Sequence, residues 1–186
     1  ITSAYDFTDT RLPLAMNEKG ERLPAGPLKP FAHAAAQIRA KAEAGIRFIN
    51  SVQLNDEEGD EEAVLARFAE AKAYADSFAD TGLYLGSAIS GSVQWSTNPR
   101  CAQIEATAMR RHGVINQPHF LETAQEVEFQ RAKWPLYREA GVMGPGLIFG
   151  HFVQATPEMI AEAGACGCGM VWQPTSNGRL ASGFAN

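Results

Sequence analysis

The chain has 186 residues, 45% apolar and 20% charged, a composition that supplies one sizeable core and gives no reason to expect intrinsic disorder. Its formal net charge is -5, with acidic residues spread along the chain, which argues against a nucleic-acid surface built to neutralise phosphates. No apolar run approaches the roughly 18 residues needed to cross a bilayer, so no membrane segment is expected. Cys101, Cys166 and Cys168 are too few and too unevenly placed for a disulfide framework, and a reduced, cytoplasmic setting is expected. Cys166-Gly167-Cys168 closes a helical pattern and leads into an apolar strand, so it reads as inert thiols rather than a metal pair.

Strand and helix patterns alternate from end to end. Ile1–Phe7, β-branched and aromatic, predicts a strand. The Pro- and Gly-rich stretch Leu12–Pro30 predicts a long loop, followed by an Ala-rich helix over Phe31–Ala44 that Gly45 closes. Ile46–Leu54 predicts the next strand. The acidic run Asp56–Glu62 then opens a helix reaching Ala79, with carboxylates at the positive end of its dipole. Leu83–Ile89 is a further strand. A loop around Gln94, Trp95 and Ser96 leads through Pro99 and Arg100 into a helix ending near Arg111, before Gly113. Strand Val114–His119, helix Ala124–Ala140 and strand Leu147–Phe152 follow. Thr156 and Pro157 open another helix, and Gly169–Gln173 predicts the last strand. Such alternation predicts a parallel sheet, either doubly wound or closed as a barrel. Periodicity leaves both open, although the lack of a Gly-x-Gly-x-x-Gly turn counts against a dinucleotide-binding sheet.

His33 lies inside a predicted helix and His112 at the end of another, and both read as surface or packing residues. His119 and His151 differ, since each falls at the C-terminal end of a predicted strand. In a β/α barrel such ends share one face, where active sites are built. Two imidazoles there are metal ligands or proton carriers; otherwise they are a buried, hydrogen-bonded pair, and position alone does not choose. Glu122, three residues beyond His119, adds a carboxylate suited to taking a proton from a metal-activated water.

Taken together, these stretches carry a family resemblance. His119-Phe120-Leu121-Glu122-Thr123, with Glu126 beyond, resembles the fifth-strand motif of the amidohydrolase superfamily, in its cytosine-deaminase and chlorohydrolase branch. Gly150-His151-Phe152-Val153, followed by Thr156-Pro157-Glu158-Met159-Ile160, is similar to the sixth strand and the helix after it. Trp172-Gln173-Pro174-Thr175-Ser176-Asn177, with Leu180-Ala181-Ser182-Gly183, is similar to the seventh strand and its loop. Ile1-Thr2-Ser3-Ala4-Tyr5-Asp6 resembles the second strand, and Gly45-Ile46-Arg47 the entry to the third.

The resemblance implies a TIM-type (β/α)8 barrel, of which residues 1–186 represent about six β/α units. It implies one divalent metal, zinc or else iron, with His119 as ligand and Glu122 as general acid/base. His151 would bond the attacking water or approach the metal directly. Gln94, Trp95, Trp172 and Gln173 would line the substrate pocket, and Asn177 would brace the loop. The implied reaction is hydrolysis of a non-peptide carbon–nitrogen bond, a hydrolytic deamination of an amino-substituted heterocycle in which metal-bound hydroxide attacks the ring carbon. Loss of chloride or an alkylamine is a variant of it, and a non-catalytic barrel scaffold is the competing class. The implied partners are a small heterocyclic substrate and, at most, further copies of the chain.

The family's first-strand His-x-His and eighth-strand aspartate have no counterpart between Ile1 and Asn186. The chain therefore reads as an incomplete barrel domain without its first and eighth strands, and is expected to hold metal weakly by itself. If the barrel reading holds, the imidazoles of His119 and His151 lie on the order of 4 to 8 Å apart, given ligand bonds near 2 Å.

Overall fold

A computed structural model describes residues 3–16, 22–56 and 60–185 and shows an α/β fold with parallel strands. The chain divides into two units, Ile1–Ser90 and Gly91–Asn186.

In the first unit, β1 (Ser3–Asp9), β4 (Arg47–Gln53) and β5 (Tyr84–Ser90) form a parallel sheet with β4 in the centre. Each strand-to-strand passage carries a helix, α1 (Phe31–Glu43) and then α2 (Glu61–Asp76), and both pack on the sheet. Phe48 and Val52 of β4, Ile38 of α1 and Val64, Leu65, Phe68 and Ala71 of α2 are all buried in the core. The predicted loop over Leu12–Pro30 is not structureless. It holds a short antiparallel pair, β2 (Leu14–Met16) and β3 (Arg22–Pro24), extended by a bond of 2.8 Å from Ala25 N to Pro13 O.

Helix α2 starts later than the acidic run suggests, because Asp60 is the residue that caps it. Its side chain accepts from Ala63 N at 3.2 Å, leaving Glu61 and Glu62 in the first turn. Asp56 stands in a turn instead, and residues 57–59 lie outside the described range. The helix also stops short of Ala79. Ser77 folds its hydroxyl back onto Tyr74 O at 2.6 Å, and a 3-10 turn over Ala79–Thr81 follows.

A polar cluster is buried between α1 and the sheet. Lys41 Nζ donates to Asp6 O at 2.9 Å, Thr8 Oγ1 at 2.8 Å and Asn50 Oδ1 at 3.1 Å. Burial brings the Lys41 amine down from 10.5 to about 8, against the pull of Asp6, and pushes the Tyr5 hydroxyl up from 10.0 to about 12. Between pH 8 and 10.5 the unfolded chain keeps a proton that folded Lys41 releases, so stability rises with pH. Between pH 10 and 12 folded Tyr5 keeps a proton that the unfolded chain releases, and stability falls. Urea midpoints are therefore expected to peak between these limbs, and Lys41→Met should remove the rising one. A midpoint that fell steadily from pH 8 upward would contradict this assignment.

In the second unit, β6 (His119–Phe120), β7 (Ile148–His151) and β8 (Gly169–Val171) form a parallel sheet with β7 central. Helix α3 (Cys101–His112) precedes β6, and α6 (Pro157–Cys166) joins β7 to β8. The predicted strand Val114–His119 is reduced to two residues. Pro118 has no N–H to donate, so upstream of it only an isolated bridge, Asn116 to Leu147, remains. The predicted helix Ala124–Ala140 is broken into α4 (Val127–Arg131) and α5 (Trp134–Glu139), the second starting with Pro135 in its first turn. Glu126 takes a left-handed φ of 57°, which closes off helix before it. Thr156 caps α6 as expected, accepting from Met159 N at 3.3 Å. Strand β8 ends before Gln173, and Pro174 opens a short helix, α7 (Pro174–Arg179), where a loop was expected.

An aromatic core backs this sheet. Phe149 of β7 stacks on Phe152 with centroids 4.7 Å apart, and Trp134, Tyr137 and Phe120 surround it at 5.3, 5.5 and 5.7 Å. Side chains alternate along a strand, so burying Phe120 and Phe149 here turns His119 and Gly150 to the opposite face. Cys101 is buried in this unit, Cys166 is exposed at the end of α6, and burial pushes the Cys168 thiol up.

Candidate metal centre

The two strand ends that carry the histidines are neighbours, with His119 paired to Gly150 and Phe120 to His151. Gly150 permits this close approach, since a Cβ there would meet Pro118 O at 3.1 Å. Just beyond the pairing the backbone turns left-handed on both strands, at Leu121 (φ 53°) and at His151 and Phe152 (φ 67° and 51°). Conformations of this kind cost side-chain-bearing residues energy and persist where surrounding bonds fix them. Here Phe152 N donates to Phe120 O at 3.0 Å and Gln154 N to Leu121 O at 3.1 Å.

The turns bring three chemistry-bearing side chains together. The rings of His119 and His151 lie 5.0 Å apart, inside the range set for a shared metal. Glu122 places Oε1 at 3.2 Å from His151 Nε2 and Oε2 at 3.9 Å from His119 Nδ1. One donor atom from each residue falls within 4.8 Å of the others. Glu122 and His151 are buried and His119 is partly exposed.

Each member is oriented by a neighbour. Asn177 on α7 holds His151 Nδ1 with its Oδ1 at 2.6 Å. A carboxamide oxygen can only accept, so Nδ1 carries the hydrogen and His151 presents Nε2 to Glu122. Nε2 faces Glu122 Oε1 at 3.2 Å, a spacing that a proton or a cation shared by the two groups would bridge. Two imidazoles and a carboxylate, one imidazole fixed from behind, form a donor set that fits a divalent metal.

Gln94 is buried and grips Glu122 twice, accepting from Glu122 N at 3.1 Å and donating from Nε2 to Oε2 at 3.4 Å. Its amide is thus turned to the carboxylate. Trp95 stands edge-on to His119 with centroids 5.6 Å apart. Gln173 points its Oε1 to within 3.7 Å of the side-chain position that Gly150 leaves empty. Trp172, one residue past the end of β8, is 49% exposed and its ring lies 6.4 Å from Phe184. The structure thus gathers Gln94, Trp95 and Asn177 around the histidines and Glu122, with Gln173 beside Gly150 and Trp172 exposed next to Phe184. Gln117, buried beside Gly150, and Lys133, behind Gln94, were not legible as site residues, because neither belongs to a motif.

No family model and no curated protein sequence matches the chain. Solved structures do match it. Guanine deaminase from E. coli superposes with a TM-score of 0.68 at 15% identity, over 100% of this chain and 41% of its own. An adenosine deaminase from Xanthomonas campestris with bound zinc gives 0.67 at 23% identity, over 83% of this chain and 36% of its own. A mutant of atrazine chlorohydrolase from Arthrobacter aurescens, complexed with zinc and atraton, gives 0.67 at 17% identity, over 100% and 41%. The likeness is one of fold, shared with two deaminases and a chlorohydrolase. The chain spans about two fifths of the length of these structures.

Proposed function

We propose that the chain carries part of the active site of a metal-dependent amidohydrolase whose strands close into a (β/α)8 barrel. Its reaction would be hydrolysis of an amino-substituted heterocycle at a carbon–nitrogen bond, with chloride or an alkylamine as a variant leaving group. The observation that carries this reading is the meeting of His119, Glu122 and His151 within 4.8 Å at two adjacent strand ends. Two of the fold neighbours contain zinc, which supports a divalent metal here.

His119 and His151 would hold the metal through ring nitrogens. A divalent cation in such a place lowers the pKa of water from near 16 to roughly 7. The remaining work belongs to the side chains. Glu122 Oε1, facing His151, would accept one proton of the attacking water and pass it to the ring nitrogen, then take the second from the hydroxyl on the attacked carbon and pass it to the departing amine. Gln94 keeps Oε2 turned aside, so that one oxygen of the carboxylate serves the transfer. Asn177 keeps His151 in a single tautomer, and Trp95 offers an aromatic wall beside His119.

Release of ammonia from guanine and adenosine, and of chloride from atrazine, tests the proposal on zinc-loaded protein that carries the whole barrel, since this chain by itself is expected to hold metal weakly. Release from any one of them that is lost in Glu122→Gln supports it, and zinc-loaded protein inert toward all of them counts against it. Asn177→Leu is expected to weaken zinc binding about 10- to 100-fold by freeing the His151 ring, while Asn177→Asp, which keeps the acceptor, should not. Calorimetric zinc titration of both variants measures this. Equal affinities for Leu and Asp at position 177 would show that the bond to Nδ1 does not orient the ligand.

A further inference from the structure

Lys133 lies in the break between α4 and α5, and its side chain runs inward until 8% of the residue is exposed. Burying an ammonium is costly unless its protons are accepted. Here Nζ donates to Gln94 O at 3.1 Å and to Ser96 O, and it sits 3.7 Å from the centroid of the Phe129 ring. Both carbonyls belong to one turn, in which Trp95 N and Ser96 N bond back to Ser92 O at 3.0 and 3.1 Å. The ammonium thus clips the turn that carries Gln94, and the Gln94 side chain grips Glu122 at its backbone N–H and at Oε2. A flexible carboxamide can hold two points on another residue only if its own backbone is held still.

We infer that Lys133 is a positioning residue for Glu122, acting through the 92–96 turn and the Gln94 amide to fix the carboxylate between the two imidazoles. This rests on the reading of Glu122 as the proton carrier.

The test is backbone amide exchange by NMR, which needs neither substrate nor metal. Glu122 N–H donates to Gln94, while Gly150 N–H donates to Pro118 O at 2.8 Å in the same sheet, independently of Lys133. Lys133→Met is expected to speed exchange at Glu122 about tenfold, the scale of one hydrogen bond, and to leave Gly150 unchanged. Lys133→Arg should restore protection. Gln94→Leu should give the same site-confined rise, and the double variant should add nothing to it. Unchanged exchange at Glu122, a parallel rise at Gly150, or additive effects in the double variant would overturn the relay. If Lys133→Met does not fold, Lys133→Gln and Gln94→Leu decide: protection of Glu122 retained in either overturns it. Turnover surviving in Glu122→Gln would instead remove the proposed reaction while leaving the exchange pattern intact.

Discussion

In a protein that carries the whole barrel, replacing Glu122 with glutamine is expected to leave metal binding in place and to lower kcat by about 10²- to 10⁴-fold, the range that a general acid/base group contributes. Glutamine keeps the length of the side chain but cannot accept water's proton at neutral pH. His119→Ala is expected to behave differently. It removes one of the two ring nitrogens proposed to hold the metal, so zinc content should fall, and excess zinc should recover part of the activity. One substitution thus gives a loaded, inactive protein and the other an underloaded one. Zinc stoichiometry measured beside kcat for both separates the roles. If Glu122→Gln lost its zinc, or kept near-native turnover, the division of labour would be wrong.

The second large effect is expected in the core behind the site. Phe149 is fully buried, stacked on Phe152 and ringed by Trp134, Tyr137 and Phe120. Phe149→Ala removes the centre of that cluster, and deletions of this kind cost about 3–5 kcal/mol in lost transfer energy and cavity formation. The loss should reach the site as well, since Phe149 precedes Gly150 and His151 on β7. Leu85→Ala is the control: Leu85 is 54% exposed, so its loss should stay within about 0.5 kcal/mol. Denaturant unfolding of both variants measures the contrast, and a Phe149→Ala midpoint close to the parent's would mean that the cluster does not stabilise the sheet.

Much of the fold was legible because strand and helix periodicities are local. The parallel strands, the Thr156 cap and the strand-end placement of His119 and His151 follow from patterns only a few residues long. What was not legible depends on contacts between distant residues. The β2–β3 pair rests on cross-strand bonds among residues whose composition reads as loop. Pro118 shortens β6 because of where its missing N–H falls in the register, and the α4–α5 break goes with a buried Lys133 that no periodicity announces. At the site, the spacing of His119 and Glu122 flagged a carboxylate near a ligand. The grip of Gln94, 28 residues away, and of Asn177, 26 residues from His151, comes only from the fold.

The most direct test of the metal-centre account is a zinc titration followed through the side-chain nitrogens of ¹⁵N-labelled histidine. The chain supplies its own controls in His33 and His112, which lie on helices α1 and α3 and are not among the grouped His119, Glu122 and His151. The account expects the ring signals of His119 and His151 to shift together, saturating at one zinc per chain, while those of His33 and His112 stay in place. It expects the same shifts in Glu122→Gln and their loss in His119→Ala. Shifts shared equally by all four histidines, or none at His119 and His151, would contradict it.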